Sequence, residues 1–204
     1  MRLIAGSGIS GLSGMRMVAQ KGHVLHVRPL LTIPKARLLA TCHARNIPFV
    51  EDPSNANPRF GRTRIRRVIA TLQGEGLTVE RLNRLALRAT RADEALEAVT
   101  SAALLAADVR ATDCIVQIDW PAIATTPAET RLRVLETLLR RSKASDAPLK
   151  LERLEALLDT IDDAYHQKAR LRRSIADRIV TLQSHGQMTI TAAKPRRRGM
   201  SLEP

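Results

Sequence analysis

The sequence predicts a mainly α fold with an α/β remnant at its N-terminal end, for three reasons. Apolar residues recur at helical spacing from Ile65 onward. Between residues 24 and 50, two short apolar runs flank a helical stripe, which is the order strand, helix, strand. Near the C-terminus the apolar period becomes shorter, as is typical of a small β-hairpin.

The first 50 residues predict a loop followed by two strands around one helix. Residues 1–22 contain five glycines among small and polar residues, which favours a flexible loop. Val24–Val27 is one apolar strand candidate and residues 47–50 form a second. Between them Pro34 marks a helix start, and the helical stripe continues to Asn46.

The middle of the chain predicts helices with one short extended segment between them. Thr78 is placed to cap a long helix that runs to about Arg110. Residues 115–118 are apolar enough to form a short extended segment. A further helix is expected to begin with Thr126 as its cap and Pro127 as its first helical residue.

Two stripes of large aliphatic residues predict the helices that form the core. They consist of Leu132, Leu135, Leu138 and Leu139, and of Leu151, Leu154, Leu157, Leu158 and Ile161. Such spacing is more typical of a buried helix face than of a binding groove. Residues 174–182 and 188–190 then predict a β-hairpin around a turn at 184–186.

The composition is that of a globular protein with an aliphatic core. Hydrophobic residues make up 44% and aromatic residues 2% of the 204 residues, so an aromatic base-stacking platform is not expected. No apolar run approaches the roughly 20 residues of a membrane span, and the N-terminus lacks a signal-peptide pattern. We therefore expect a cytoplasmic protein without a membrane partner. Cys42 and Cys114 are far apart, which favours small core residues over a zinc site or a disulfide.

The net charge of +13 is distributed unevenly along the chain. Residues 1–67 carry a charge of +10, residues 68–164 carry −4, and residues 165–204 carry +7. Two basic ends around a mildly acidic middle indicate two contact surfaces for a polyanion. Nucleic acid is the expected partner, because neither basic end has the bulky apolar face of a membrane-surface helix.

Residues 51–67 combine turn-forming residues with a dense cluster of arginines. The first half contains Pro, Asp, Ser and Asn, which satisfy backbone groups without regular secondary structure. Five arginines follow between Arg59 and Arg67. Guanidinium groups can bind phosphates or a carboxylate in bidentate fashion. A solvated helix start after a loop is the alternative interpretation, and composition does not decide between the two.

Four motifs occur in order within the first 67 residues. They are Gly6-Ser7-Gly8 with Gly11-Leu12-Ser13-Gly14-Met15, then Arg28-Pro29-Leu30-Leu31, then Asp52-Pro53-Ser54-Asn55, and finally Phe60-x-Arg62-x-x-x-Arg66. Each motif alone is weak. In this order and at these separations they resemble the bacterial tRNA(Ile)-lysidine synthetase family, whose members are ATP pyrophosphatases of the PP-loop type. The resemblance is close over residues 1–67 and loose over residues 68–192.

The resemblance implies a division into three parts. Residues 1–70 would be the C-terminal portion of a Rossmann-like PP-loop synthetase domain. Residues 71–193 would be a helical substrate- and tRNA-binding domain that ends in the small hairpin. Residues 194–204 would be a basic, disordered tail.

The resemblance also implies an activity and its partners. Enzymes of this family adenylate the C2 oxygen of the wobble cytidine in an isoleucine tRNA with a CAU anticodon. The ε-amine of free lysine then displaces AMP. ATP and Mg would be the cofactors of the complete enzyme, and the partners would be tRNA, free lysine and either an N-terminal half or a second copy.

The resemblance places a set of residues in or beside the active site. They are Arg28, Asp52, Ser54, Asn55, Arg62, Arg64 and Arg66. These side chains would line or support the site beside the nucleotide and the anticodon phosphates. Asp52 and Arg66 could equally form a structural pair that holds the loop. The resemblance assigns no catalytic residue and no metal ligand to this chain.

The sequence departs from the family pattern at several points. It contains no Ser-Gly-Gly-x-Asp-Ser phosphate loop, so no cofactor-binding residue is expected here. Ala5 stands where the family usually has Arg, and Thr63 where Asn is common. We expect a portion of such an enzyme that lacks the nucleotide-binding half and does not bind ATP or Mg by itself.

Two other functions are compatible with the sequence. The chain could be a stand-alone basic helical module that binds RNA or DNA without sequence preference and without catalysis. Alternatively, residues 75–164 could form a helical interaction domain whose charge is incidental. The first alternative predicts salt-sensitive binding with no preference among tRNAs, and the second predicts no binding at physiological salt.

Overall fold

The structure is a computed structural model that describes residues 4, 6–50, 57, 59–112, 115–142 and 148–193. Its helices are α1 (Ile9–Leu12), α2 (Lys35–Ala44), α3 (Gly61–Gly74), α4 (Val79–Ala106), α5 (Pro121–Ala124), α6 (Ala128–Arg141) and α7 (Leu151–His166). Its strands are β1 (Val18–Lys21), β2 (Val24–Val27), β3 (Arg110–Ala111), β4 (Ile115–Asp119), β5 (Leu171–Ile175), β6 (Arg178–Leu182) and β7 (Gln187–Ala192). The predicted class, mainly α with an α/β remnant, is confirmed.

The chain divides into two compact units, Met1–Asp93 and Glu94–Pro204, and the boundary falls within α4. The domain limits expected from the sequence, 1–70 and 71–193, stay predictions. The expected disordered tail, 194–204, lies outside the described residues.

The first unit contains an antiparallel hairpin that the sequence did not predict. Strands β1 and β2 pair from Val18 opposite Val27 to Lys21 opposite Val24. Gly22 lies in the connecting turn with a φ of +60°, which glycine adopts without strain. The expectation of a flexible loop over residues 1–22 is therefore wrong for α1 and β1. The partner strand supplies the hydrogen bonds that make 18–21 extended, and local composition does not reveal a partner.

The strand expected at residues 47–50 is absent, and this stretch is irregular chain. Pro48 cannot donate to a ladder, and no described strand pairs with this segment. The helix before it, α2, is confirmed and begins directly after Pro34. Cys42, expected in the core, is only half-buried.

Helix α4 begins as the sequence predicts. The backbone N–H of Arg81 donates to the Thr78 hydroxyl oxygen over 3.3 Å, so Thr78 caps the helix. The helix continues without a break for 28 residues and ends at Ala106. Asp108, with a φ of 43°, leads into β3.

The second unit contains a five-stranded antiparallel sheet in the order β3-β4-β7-β6-β5. The predicted hairpin corresponds to β6 and β7, and Gly186 lies in its turn with a φ of +99°. Its first arm, expected as one segment over 174–182, is instead divided between β5 and β6. Ala176 and Asp177 both have a positive φ, of 43° and 58°, and form the turn between these strands. Such a turn usually contains Asn or Gly, which explains why the sequence pattern did not indicate it.

The core of the second unit lies where the two aliphatic stripes predict it. Leu135, Leu138 and Leu139 of α6 are fully buried, and so is Ile161 of α7. The predicted cap of α6 is wrong in detail. Pro127 occupies the N-cap position, whereas the Thr126 hydroxyl donates to the Ile123 carbonyl over 2.8 Å.

A buried arginine connects the sheet to the end of α6. Arg178 is 3% exposed, and its Nε donates to the Leu139 carbonyl over 2.6 Å and to the Ser142 hydroxyl over 3.1 Å. Its Nη1 donates to the Ala176 carbonyl over 2.7 Å. A guanidinium group therefore satisfies carbonyls at a helix C-terminus, where positive charge is also favoured by the helix dipole.

Candidate nucleic-acid interface

The residues that the sequence analysis placed at the site fall into two groups. Asp52, Ser54 and Asn55 lie outside the described residues. Arg28 is described, as are the helix α3 residues Arg62, Arg64 and Arg66. Arg62, Arg64 and Arg66 all lie in the first two turns of helix α3, whereas Arg28 directly follows β2 of the hairpin.

Arg28 follows β2 and is half-buried. Its backbone N–H donates to the Met17 carbonyl over 2.7 Å, and its Nη1 donates to the Arg16 carbonyl over 3.2 Å. Both hydrogen bonds extend the pairing of the hairpin beyond its last ladder residues. Arg28 therefore holds residues 16–17, which precede β1, beside the end of β2.

Helix α3 carries a cluster of arginines in its first two turns. The cluster consists of Arg62, Arg64, Arg66 and Arg67, all exposed. Arg62 and Arg66 are four residues apart and therefore lie on one face. Arg64 Nη1 donates to the Arg59 carbonyl over 2.9 Å, which joins the helix to the chain before it.

This arrangement is electrostatically unfavourable for the helix by itself. The N-terminus of a helix carries partial positive charge, so cations in the first turns are disfavoured. Like charges four residues apart add repulsion. Between Gly61 and Gly74 the helix contains no acidic residue. A polyanion bound at this end would relieve both effects, and rules of local stability are most often broken at functional sites.

A second group of arginines lies on one face of α4. Arg81, Arg84 and Arg88 line a cleft of about 390 Å³. Arg91 continues the same spacing of three, four and three residues. The sequence analysis missed this stripe, although the spacing of its arginines was a signal that could have found it. Together with the α3 cluster, the stripe gives the first unit two sets of phosphate donors.

The start of α4 shows how the stripe is accommodated. The pKa of Glu80 is lowered, first by a hydrogen bond from its own backbone N–H, then by the Thr78 hydroxyl and by the nearby Arg84 guanidinium. Arg81 Nη1 donates to the Gly76 carbonyl over 2.7 Å. A carboxylate in the first turn complements the helix dipole and offsets part of the arginine charge. The first turn of α4 therefore contains a carboxylate that balances part of this cationic face.

The structure also assigns a role to Asp93, which the sequence analysis missed. Asp93 is 5% exposed and accepts a hydrogen bond from the Ser10 hydroxyl over 2.5 Å. Arg16 Nη2 lies 3.1 Å from the same carboxylate. The Thr90 hydroxyl, one turn earlier, donates to the Ala86 carbonyl over 2.9 Å and also lies 3.5 Å from the Ser13 carbonyl. Helix α4 therefore holds the glycine-rich segment that carries the first of the four motifs.

The described part of the chain has neither a membrane-spanning helix nor a group of side chains typical of a metal site. No helix there is both long and apolar enough to cross a membrane. In the same residues, no three His, Cys, Asp or Glu side chains are grouped as a metal site would require.

Comparison with known proteins shows a consistent relationship. Residues 1–72 match the family model of a PP-loop domain. A tRNA(Ile)-lysidine synthase from Methylobacterium nodulans is 43% identical over 202 residues, which cover 98% of this chain and 59% of the relative. The corresponding enzyme of Methylobacterium sp. is 41% identical over 97% of this chain and 58% of its own length. That of Rhodopseudomonas palustris is 38% identical over 97% of this chain and 58% of its own length. The chain thus spans less than two thirds of the length of these relatives.

Proposed function

The chain is homologous over nearly its whole length to tRNA(Ile)-lysidine synthases, and from this we propose that it is the tRNA-contacting portion of such an enzyme. The complete enzyme would join lysine to C2 of the wobble cytidine in an isoleucine tRNA with a CAU anticodon. ATP would supply the adenylyl group that activates the C2 oxygen, with release of pyrophosphate, and the lysine ε-amine would then displace AMP. The modified tRNA would then read a different codon and accept a different amino acid.

The structural observation that supports tRNA contact is the arginine cluster of α3. Its four guanidinium groups are concentrated at a helix end that disfavours them, with no acidic residue in the helix. Phosphates of the tRNA backbone, if bound by this cluster, would offset the repulsion of the arginines by one another and by the helix dipole. Arg62 and Arg66, which share a face, would bind phosphates, while Arg28 and Arg64 would support the adjoining chain.

ATP and Mg belong to the complete enzyme in this proposal. The arginines of α3 fit a phosphate group, because they are exposed fork-shaped donors. By the resemblance, Asp52, Ser54 and Asn55 would line or support the site beside the nucleotide. Since the 204 residues contain no Ser-Gly-Gly-x-Asp-Ser loop, the chain alone would not form lysidine. An assay of labelled-lysine incorporation into the tRNA tests this, and product formation by the chain alone would disprove the partial-enzyme proposal.

The binding test is a gel-shift titration of the full chain with two tRNAs at two salt concentrations. One is isoleucine tRNA with a CAU anticodon and the other is methionine tRNA with the same anticodon. We expect a preference for the isoleucine tRNA that persists at the higher salt concentration. Equal and salt-sensitive affinity for both would instead support the non-specific binding module.

Single charge variants locate the surface. Arg62→Gln and Arg66→Gln should each weaken tRNA binding by roughly three- to tenfold, because each would remove one phosphate contact. Each should also lower the slope of log affinity against log salt concentration by about 1. Arg153→Gln is the matched control, since Arg153 is an exposed arginine on α7. If Arg153→Gln weakened binding as much as the α3 variants, only net charge would matter.

The stripe on α4 supports a second candidate, a stand-alone RNA-binding module. Arg81, Arg84 and Arg88 share one cleft and could follow a backbone of any sequence. The same titration separates the two candidates. Binding by the module would depend on the stripe and would not distinguish the two tRNAs.

A further inference from the structure

A second cleft lies in the second unit, where the end of α7 faces the β6–β7 turn. It has a volume of about 440 Å³, within the range of small-molecule sites of about 300–1,000 Å³. Its lining consists of Pro121, Tyr165, His166, Lys168, Ser184 and His185. Among these described lining residues there is no carboxylate, and all except Pro121, five in number, carry groups that can donate a hydrogen bond to a phosphate or a base edge.

The cleft contains a half-exposed aromatic ring in a chain with few of them. Only 2% of the residues are aromatic, and Trp120 is fully buried. Tyr165 is half-buried, and its ring lies 5.8 Å from the ring of His166, tilted by 54°. An extended platform of aromatic rings is ruled out by the composition, but one ring is enough to stack one base.

Tight packing fixes the walls of the cleft. Gly186 has a φ of +99°, and a Cβ at this position would lie 2.6 Å from Pro121 Cδ and 3.3 Å from Tyr165 Cε2. The backbone N–H of Trp120 also donates to the Gly186 carbonyl over 3.0 Å. The turn therefore packs directly against Tyr165, which gives the cleft a preformed shape.

Lys168 occupies a backbone position that favours glycine. It follows α7 with a φ of 51°, in the left-handed region where helices often end in Gly. The Ala169 N–H donates to the Ala164 carbonyl over 2.8 Å and closes the helix end. A residue with a long side chain here is strained relative to glycine, so the backbone conformation gives no local reason for a lysine at this position.

The cation of Lys168 begins a basic run. Lys168, Arg170, Arg172 and Arg173 occur within six residues, and residues 164–176 contain no acid. The run leads from the cleft along β5, which is an edge strand of the sheet. Exposed cations on an edge strand also oppose aggregation, but that function does not require a lysine in the left-handed position at the cleft.

We propose that this cleft binds one unpaired RNA nucleotide, with the base against Tyr165 and its phosphate on Lys168. The inference rests on the proposed function, because it takes the polyanion to be tRNA. The aromatic ring, the donors and the absence of carboxylates among the described lining residues match a base with its phosphate better than a peptide side chain. The adjoining basic run would bind the phosphates that follow.

The test uses the full chain and isoleucine tRNA with a CAU anticodon. Lys168→Gly removes the cation while relieving the positive φ, so its thermal midpoint should be equal to or above that of the unchanged protein. Its tRNA affinity should fall roughly three- to tenfold, with a salt slope lower by about 1. Lys150→Gly is the matched control, since Lys150 is exposed and precedes the other end of α7, about 24 Å away for 16 helical residues.

The outcomes separate this inference from the proposed function. If the unchanged chain binds and both variants bind equally well, the cleft is not an RNA site, while the proposed function stands. If both variants weaken binding equally, only net charge matters and the cleft assignment is overturned. If the unchanged chain does not bind tRNA, the proposed function fails and the RNA assignment of the cleft fails with it.

A photochemical experiment tests the base contact separately. With tRNA that contains 4-thiouridine, we expect a cross-link on the tryptic peptide 154–168, which ends at Lys168. Tyr165→Phe should keep tRNA affinity, because the ring remains, whereas Tyr165→Leu should lower it severalfold. Equal affinity of the Leu and Phe variants, or cross-links that avoid this peptide, would overturn the stacking assignment.

Discussion

Asp93 is the residue in the first unit with the clearest structural role. It is buried on α4 and contacts Ser10 and Arg16 of the glycine-rich segment. A hydrogen bond to a charged group contributes about 1.5–3 kcal/mol, and a buried polar group that loses its partner is costly. The segment with the first motif is thus positioned by a carboxylate far away in sequence.

Replacing Asp93 tests this role. Asp93→Ala should destabilise the segment by about 1–3 kcal/mol, because Ser10 and Arg16 lose their shared acceptor. Amide hydrogen exchange should become faster in residues 9–16, and tRNA binding should fall because the neighbouring hairpin is less well held. Asp93→Asn keeps an acceptor for Ser10 and should have a smaller effect. Unchanged exchange in Asp93→Ala would contradict the role.

Thr78 and Glu80 determine how the N-terminus of α4 depends on pH. Glu80 has a lowered pKa in the folded chain, so its contribution to stability is present above the unfolded pKa. That contribution is lost as the pH falls through the folded pKa. The hydroxyl of Thr78 caps the helix and also hydrogen-bonds the carboxylate.

Thr78→Ala should lower the stability of this helix end by about 1 kcal/mol, because one N–H loses its cap. It should also raise the pKa of Glu80 toward its ordinary value, measured by carboxyl chemical shifts in an NMR titration. Thr78→Ser keeps the hydroxyl and should preserve both properties. A Glu80 pKa that is the same in all three proteins would show that the hydroxyl does not contribute.

At the scale of the element, α3 combines an unfavourable charge pattern with a position in the fourth motif. Its cations lie at the positive end of the helix dipole. The arginines that would bind phosphates therefore lower the stability of the helix, and substitutions that stabilise the helix should weaken binding. Helix α4 differs, because Glu80 and the Thr78 cap complement its N-terminus.

Arg62→Glu should reveal this opposition. A carboxylate in the first turn gains about 0.3–1 kcal/mol from the dipole, and pairing with Arg66 at the i+4 position adds about 0.2–0.5 kcal/mol. We expect a higher midpoint in denaturant unfolding together with weaker tRNA binding. Arg67→Glu makes the same charge change beyond the first turn, where only the weaker pairing with Arg64 at the i−3 position remains, and should stabilise less. Loss of stability in Arg62→Glu would contradict the dipole explanation.

At the scale of the whole molecule, the two units differ in how much apolar surface they bury. The hydrophobic core cluster lies between Ala103 and Ile190, in the second unit. In the described part of the first unit, only Thr63 and Asp93 are buried. Many large apolar side chains are exposed there, including Val24, Leu25 and Val27 of β2. Exposed apolar surfaces of this kind often associate with other protein surfaces. A unit that buries so little apolar surface is also expected to have low stability.

Limited proteolysis should therefore cleave the first unit well before the second. We expect a resistant fragment that contains residues 115–190, because its sheet and two helices bury a shared core. Sedimentation at increasing concentration should also show self-association through the exposed apolar residues. A monomeric chain whose first 67 residues resist protease would contradict this expectation.

Much of the fold could be predicted because helical periodicity is local. The stripes of α6 and α7, the Thr78 cap and the β6–β7 hairpin follow from residues close in sequence. The β1 strand and the division of β5 from β6 could not be predicted in this way, because pairing partners and left-handed turns without Gly or Asn are not visible locally. The candidate site was predicted in part. The α3 arginines are close together in the sequence and could therefore be recognised. Asp93, by contrast, contacts Arg16 and Ser10, which precede it by 77 and 83 positions.

The sequence by itself determined the resemblance to tRNA(Ile)-lysidine synthases, the mainly α class, the segregation of positive charge and the helix faces that are buried. These properties depend on motif order, composition and periodicity, which neighbouring residues specify. Only the tertiary structure decided that Asp93 holds the glycine-rich segment and that Tyr165 and Lys168 share a cleft with the β6–β7 turn. Side chains that meet across elements do so because backbone pairing and core packing bring them together, and no local pattern records that proximity.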